Sequence, residues 1–354
     1  MKILIIKTSS LGDIIHAFPV LQYLKSRHPQ AQIDWVVEQP FVELVQAHPS
    51  LHQAWSVNTK KWRKGFWKKD VWQDIRYFVQ QIRQQTYDVA IDLQGNTKSG
   101  LILAFVKSAK KIGFGSKSVP EWPNLLFTNQ RYNPPPRQNI REDYLFLAQS
   151  ILGDFKAERK GVQLKIEPSW QVKLEAILAH EQIQNGMQIM VCPGSNWTNK
   201  QLPKETLKAF LQQILDKCSG RFLFVWGSPA EKDMGEYLAA HFPDHSLIVD
   251  RLPLPALQNL MARMDAVIAM DSLPLHLAGT TPTPTYGIFG ASSSHKYKPL
   301  GGNHGAFQGS CPFNQSFEKR CPLLRTCSTG NCIKDIDAAR LFQSFETWWK
   351  NRVL

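Results

Sequence analysis

Asp13 stands in KTSSLGDIIHAFP, a short polar turn between an apolar run and a segment of helical spacing. Ile3–Ile6 is β-branched and continuous, which predicts a buried strand. Thr8, Ser9, Ser10 and Gly12 make the turn, and Ile14, Ile15, Phe18 and Val20 carry one face of a helix. In an open parallel sheet, ligands bind outside the carboxyl ends of the strands, where such turns lie. The first N–H groups of a helix favour anions. Asp13 is therefore either a first-turn carboxylate that stabilises its helix or a catalytic one.

Three further strand ends carry reactive types. CPGSNWTNK puts Ser195 and Asn196 in a tight turn with Lys200 just ahead of the next helix. Such a turn with one lysine suits a diphosphate, although the GxxxxGK[ST] spacing of a P-loop is absent. FVWGSPAEK turns through Gly227 and Pro229 to Glu231, either a helix cap or an acceptor for a ribose hydroxyl. VIAMDSLPLHLAG sets Asp271 directly after an apolar strand, with Ser272, Pro274 at a helix start, and His276. Three such loops in one domain outline a pocket for a nucleotide sugar.

The elements that position these residues alternate. In the first half, strands are expected at Ile3–Ile6, Ile33–Val37 and Val89–Leu93, with helices beginning near Gly12, Pro40 and Val71. The proline run at Arg131–Arg137 breaks the pattern, and a helix over Ile140–Leu152 follows. The second block reads as strands at Gln188–Cys192, Phe222–Trp226, Ser246–Val249, Ala266–Ala269 and Thr285–Ile288. Its helices are expected at Lys204–Asp216, Glu231–His241, Leu254–Met264 and Pro274–Ala278, with a closing helix from Ile336 to about Trp349. A repeated βα rhythm predicts parallel, doubly wound sheets. Two of them facing a central cleft describe a GT-B architecture, suited to a two-substrate transferase. The expected limits are 1–165, 166–335, and a terminal 336–354 helix that crosses back toward the first domain.

With 354 residues, 43% of them hydrophobic, the chain has material for two cores. No stretch approaches the ~20 apolar residues of a membrane span. MKILIIKTSS lacks the form of a signal peptide, which points to the cytoplasm. A net charge of +13 calls for an anionic partner. Neither zinc-finger spacing nor an RNA-binding signature appears, which argues against nucleic acid. The charge is concentrated in TKKWRKGFWKKDVW, where Lys60, Lys61, Arg63, Lys64, Lys68 and Lys69 alternate with Trp62, Phe66, Trp67 and Trp72. That interleaving reads as a surface facing anions and lipid, at an anionic membrane. Cys311, Cys321, Cys327 and Cys332 cluster without CxxC pairs, so buried thiols or a redox-sensitive loop are expected rather than a zinc site.

KTSSLGDIIHAFP, WVVE at Trp35–Glu38, DLQGNTKSG at Asp92–Gly100, WGSPAE at Trp226–Glu231 and MDSLPLHLAG at Met270–Gly279 occur in this order. Together they resemble the ADP-heptose:lipopolysaccharide heptosyltransferases, glycosyltransferase family 9, most closely in the heptosyltransferase I form. The resemblance implies a GT-B fold, inversion at the transferred sugar, an ADP-heptose donor and a Kdo–lipid A acceptor. It also implies no required cofactor or divalent metal, and a place at the cytoplasmic face of the inner membrane. Residue by residue, it implies Asp13 as general base and Lys200 on the donor phosphates. Ser195, Asn196, Glu231, Asp271, Ser272 and His276 fall on the donor side. Lys7, Ser10, Lys60, Lys61, Arg63, Lys64 and Gln94 fall on the acceptor side. Leu273 stands where the family has a glycine. The cysteine-bearing tail is closer to heptosyltransferase II and other branches. Heptosyltransferase II, or another family member with a different sugar or acceptor, is the alternative expectation, and a non-catalytic nucleotide- or lipid-binding protein is the third.

Overall fold

The computed structural model describes residues 1–156, 161–195 and 197–352. The chain divides into two compact units, Met1–Lys160 and Gly161–Leu354.

The first unit is built on six parallel strands: β1 (Lys2–Ile6), β2 (Gln32–Glu38), β3 (Gln53–Val57), β4 (Thr86–Asp92), β5 (Lys107–Phe114) and β6 (Gln130–Tyr132). Their order is β3-β2-β1-β4-β5-β6. The central strand KILII is buried from Ile3 to Ile6, as a parallel strand covered on both faces must be. The helix Leu11–His16 follows β1 directly, and Phe18–Arg27 continues from it with Pro19 in its first turn. Lys69–Gln84 and Thr97–Phe105 cover the other sheet face, packing Phe78, Ile82, Ile102 and Leu103 onto Leu4, Ile6 and Val36. The break at Arg131–Arg137 leaves room only for the short edge strand β6, where the ladder asks least of the backbone.

The second unit repeats the plan with β7 (Met187–Cys192), β8 (Gly220–Phe224), β9 (Ser246–Ile248), β10 (Ala266–Met270), β11 (Thr285–Phe289) and β12 (His304–Gln308). The order is β12-β11-β10-β7-β8-β9, again all parallel. β10 and β11 are buried at every position. The closing helix, Ala338–Asn351, puts Leu341, Phe342 and Phe345 into the core of this unit. Phe345 meets Phe210 edge-on at 5.7 Å and Tyr286 at 5.3 Å between ring centroids.

Expected and observed elements differ where the sequence is polar or short. β5 carries Lys107, Lys110 and Lys111 and was not legible as a strand. β3, β6 and β12 run five, three and five residues. The helix expected near Pro40 is a 3₁₀ turn, Gln39–Phe41, followed by Val42–Gln46. The Lys- and Glu-bearing segment after Leu152 contains a helix, Pro168–Leu178, opened by its proline. Among the described residues no helix is long and apolar enough to cross a membrane.

Candidate functional sites at the strand ends

In each sheet the strand order reverses at one place, between β1 and β4 in the first and between β7 and β10 in the second. Loops leaving the carboxyl ends of strands at such a point form the natural binding crevice.

In the first unit these loops are tied together. Gln94 Oε1 accepts from the Thr8 and Ser9 N–H groups, each at 3.1 Å. Asp92, fully buried, accepts from the N–H of Gln94 (2.8 Å), the N–H of Gly95 (3.0 Å), Ser99 Oγ (2.7 Å) and Asn124 Nδ2 (2.7 Å). Burial raises its pKa more than these donors lower it. Gly95 is required here: its φ is +70°, and a Cβ would lie 2.6 Å from Pro120. Asp13 closes a capping box: its Oδ2 accepts from the Ser10 N–H at 3.2 Å and from Ser10 Oγ at 2.7 Å. The helix-stabilising reading of Asp13 is thus realised, and it fixes where the carboxylate points. Lys7 is buried, its ammonium 4.7 Å from the Tyr144 ring centroid. Burial lowers its pKa, while the charges of Asp13 and Asp92 oppose that shift. Lys7, Ser10 and Asp13 follow β1, and Gln94, from the end of the neighbouring β4, is tied to the same loop.

The basic run divides. Lys60, Lys61, Arg63 and Lys64 lie exposed on the helix Thr59–Lys64. Lys61 Nζ is already paired with Asp74 at 2.5 Å and Asp70 at 3.5 Å. Trp62 turns inward, 5.8 Å from Phe78, and joins the core rather than the surface. Phe66, Trp67, Trp72 and Tyr77 are 61%, 67%, 51% and 66% exposed.

In the second unit the charged residues meet directly. Lys200 Nζ lies 2.5 Å from Asp271 Oδ2, and His276 Nε2 lies 3.5 Å from Asp271 Oδ1. All three are buried. Burial alone raises the Asp271 pKa, but His276 and Lys200 together outweigh it and hold the carboxyl below its ordinary range. Glu231 caps its helix, accepting from the N–H groups of Gly227 (2.7 Å) and Ser228 (3.1 Å). It also lies flat against Gly194, where any Cβ would fall 2.2 Å from its carboxylate. This contact joins the β7 and β8 loops and explains the glycine. Ser195 is buried, with its carbonyl accepting from Gln201 Nε2 at 2.5 Å. Asn196 lies outside the described residues. Ser272 Oγ and Trp226 Nε1 are buried with no hydrogen-bond partner among the described residues.

Asp92 and Asn199 were missed as positioning residues. An aspartate ending a buried strand before Gln-Gly-Asn is an Asx-turn signature that could have found the first. Asn199 Nδ2 donates to the Leu324 and Cys327 carbonyls at 3.1 and 3.0 Å, partners no local pattern reveals. Among the described residues no group of three or more His, Cys, Asp or Glu is arranged to hold a metal ion.

Two Rossmann-like units, each with its polar side chains gathered at the switch point of a parallel sheet, define a glycosyltransferase of the GT-B fold class. The chain belongs to glycosyltransferase family 9 (heptosyltransferase), whose pattern matches residues 75–326. It is similar to lipopolysaccharide heptosyltransferase 1 of Campylobacter coli, 29% identical over 303 residues, covering 84% of this chain and 86% of the relative. The protein of the same description from Pseudomonas aeruginosa is 27% identical over 304 residues, 83% of this chain and 79% of the relative. Among solved structures, the Escherichia coli heptosyltransferase WaaC with ADP superposes with a TM-score of 0.78 over 98% of this chain and all of that one. Its 21% identity speaks to the fold.

Proposed function

We propose that the protein moves a heptose from ADP-heptose to the Kdo end of a lipid A-bearing acceptor, with inversion, as a heptosyltransferase I. The observation that carries this reading is the buried Lys200–Asp271–His276 group at the switch point of the second sheet. A relative of the same fold is described with ADP, which supports an adenine diphosphate as the carrier. Five relatives described as lipopolysaccharide heptosyltransferase 1 match at 23–29% identity, and two described as lipooligosaccharide heptosyltransferase 2 match at 24%, a balance that supports the first acceptor.

The chemistry follows from charge. The acceptor hydroxyl must lose its proton as it attacks the anomeric carbon, and Asp13, aimed by its capping box, is the base. The departing ADP gathers negative charge. Lys200 and the backbone N–H groups of Gly194 and Ser195 neutralise it, so the reading assigns that work to side chain and backbone rather than to a divalent ion. Asp271 holds Lys200 in place, and Ser272 Oγ is a further donor for phosphate or sugar.

The donor assignment is checked by thermal protection. ADP or ADP-heptose at 100 times its dissociation constant is expected to add about 2.7 kcal/mol of stability, and UDP or GDP sugars little. Protection by a uridine sugar instead would overturn it.

On the acceptor side, Lys60, Arg63 and Lys64 face the acidic Kdo and headgroup region, and the bare aromatics seat the protein at the cytoplasmic face of the inner membrane. The triple alanine variant is expected to raise acceptor KM and leave donor KM in place. The effect should shrink as salt brings the Debye length below ~8 Å. Trp67→Ala is expected to weaken use of a lipid-bearing acceptor more than of a delipidated analogue, whereas Trp62→Ala acts through stability. Equal acceptor KM in the triple variant and parent would leave the run a solvated loop.

A further inference from the structure

The cysteine segment is tied to the phosphate loop. Asn199, the residue before Lys200, donates its amide to the carbonyls of Leu324 and Cys327. Gly330 packs so close that a Cβ there would lie 2.6 Å from Asn199 Oδ1. Cys311, Cys321, Cys327 and Cys332, all free thiols, line one small cavity beside Asn199. They stand at four positions separated by nine, five and four residues, and the fold brings them together.

The four thiols are not equivalent. Cys327 Sγ receives the Gly330 N–H at 3.4 Å and lies 3.6 Å from Thr329 Oγ1. The Gly330 N–H and the Thr329 hydroxyl favour its thiolate and lower its pKa. Cys332 is more enclosed, and burial, with Cys311, Cys327 and Cys321 around it, pushes it up to about 11, which keeps it a thiol. One partly exposed sulfur whose thiolate is favoured thus stands beside a more enclosed one that stays a thiol.

We propose that Cys327 is an oxidation site for a peroxide, and that its disulfide with a neighbouring cysteine loosens the Asn199 clasp and weakens donor binding. The part concerning the donor rests on the reading of Lys200 given above. The Cys327 thiolate attacks one oxygen of hydrogen peroxide. An S–O bond forms, the O–O bond breaks, and hydroxide leaves with the electron pair. A neighbouring thiol then attacks the sulfenic sulfur. The S–S bond forms, the S–O bond breaks, and the hydroxide departs with the thiol proton as water. In sum, two thiols and one hydrogen peroxide give one disulfide and two waters. The bridge draws the Cys327 backbone toward the cavity, and the carbonyl that accepts from Asn199 moves with it.

The test treats the reduced full chain with hydrogen peroxide and follows three readouts: free thiols, the bridged peptides by mass spectrometry, and ADP affinity. The expected result is a bridge that contains Cys327, a rise in the ADP dissociation constant of about fivefold or more, the low end of the range for coupled sites, and full reversal by dithiothreitol. Cys327→Ser should bind ADP like the parent when reduced and lose the response. Cys218→Ser, outside the cluster, should keep it. A bridge that omits Cys327, or a Cys327→Ser variant as sensitive as the parent, would overturn the site. Thiols that react only after a chelator is added would also overturn it, because a bound metal would then own the cluster. A correct bridge with unchanged ADP affinity would overturn the clasp. Absence of ADP binding in the reduced protein would defeat the donor reading, while thiol counts and peptide maps still decide the oxidation site.

Discussion

Asp13→Asn is expected to lower kcat by ~10²–10⁴-fold, the usual worth of a positioned general base. Asparagine has the same shape, and its Oδ1 still accepts the Ser10 N–H that Asp13 now receives at 3.2 Å. The helix Leu11–His16 therefore keeps its cap. Tm should move by about 2 °C or less, since a change of 1 kcal/mol shifts a chain of this size by only a few degrees. ADP affinity should be unchanged, because the donor loops belong to the second unit. The loss is thus confined to turnover. A variant that turns over at nearly the parental rate would leave Asp13 a helix cap and nothing more.

Lys200→Met is expected to act on both stability and donor binding. Lys200 and Asp271 are 7% and 5% exposed, so removing the ammonium strands a buried carboxylate with His276. Breaking a buried pair in this way costs about 3–5 kcal/mol. The double variant Lys200→Met/Asp271→Leu removes both charges and should recover most of that loss without recovering ADP affinity. The pH dependence has a definite sign. The folded Asp271 pKa lies below its ordinary 3.8, so its stabilising contribution is present above that value and is lost as pH falls through the folded one. In Lys200→Met the unpaired carboxyl protonates more readily, which relieves the buried charge. The stability gap between parent and variant should be widest near neutral pH and narrow below about pH 4. A gap that stays constant on acidification, or a variant with parental ADP affinity, would contradict the assignment.

Much of this was legible because apolar strands announce themselves. Lys2–Ile6, Met187–Cys192, Gly220–Phe224 and Ala266–Met270 carry buried apolar runs, and Asp13, Lys200, Glu231 and Asp271 each follow one, so locating the strand locates the site. The family resemblance rests on the same junctions and stands. What the sequence hid was partnership. Lys200 reads as a lone lysine before a helix, and its carboxylate lies 71 positions away. Glu231 reads as a cap, and it is one, but its packing on Gly194 depends on two neighbouring strands. Lys61 reads as one more charge in a basic run, yet Asp70 and Asp74 on the next helix claim it. Trp62 lies on the helix Thr59–Lys64 and turns to Phe78, whereas Trp67 lies in the turn that follows that helix and is left to solvent, a difference that the shared residue type conceals. β5 was concealed by lysines that a strand near a sheet edge tolerates at its exposed positions.

The most direct test of the central claim is transfer itself. Purified protein is incubated with ADP-heptose and Kdo–lipid A, and the products are weighed and the new linkage examined. The expected result is an acceptor heavier by one heptose residue, ADP released in equal amount, and the anomeric configuration opposite to that of the donor. An unchanged acceptor alongside efficient transfer from another nucleotide sugar, or a product that retains the donor configuration, would contradict it.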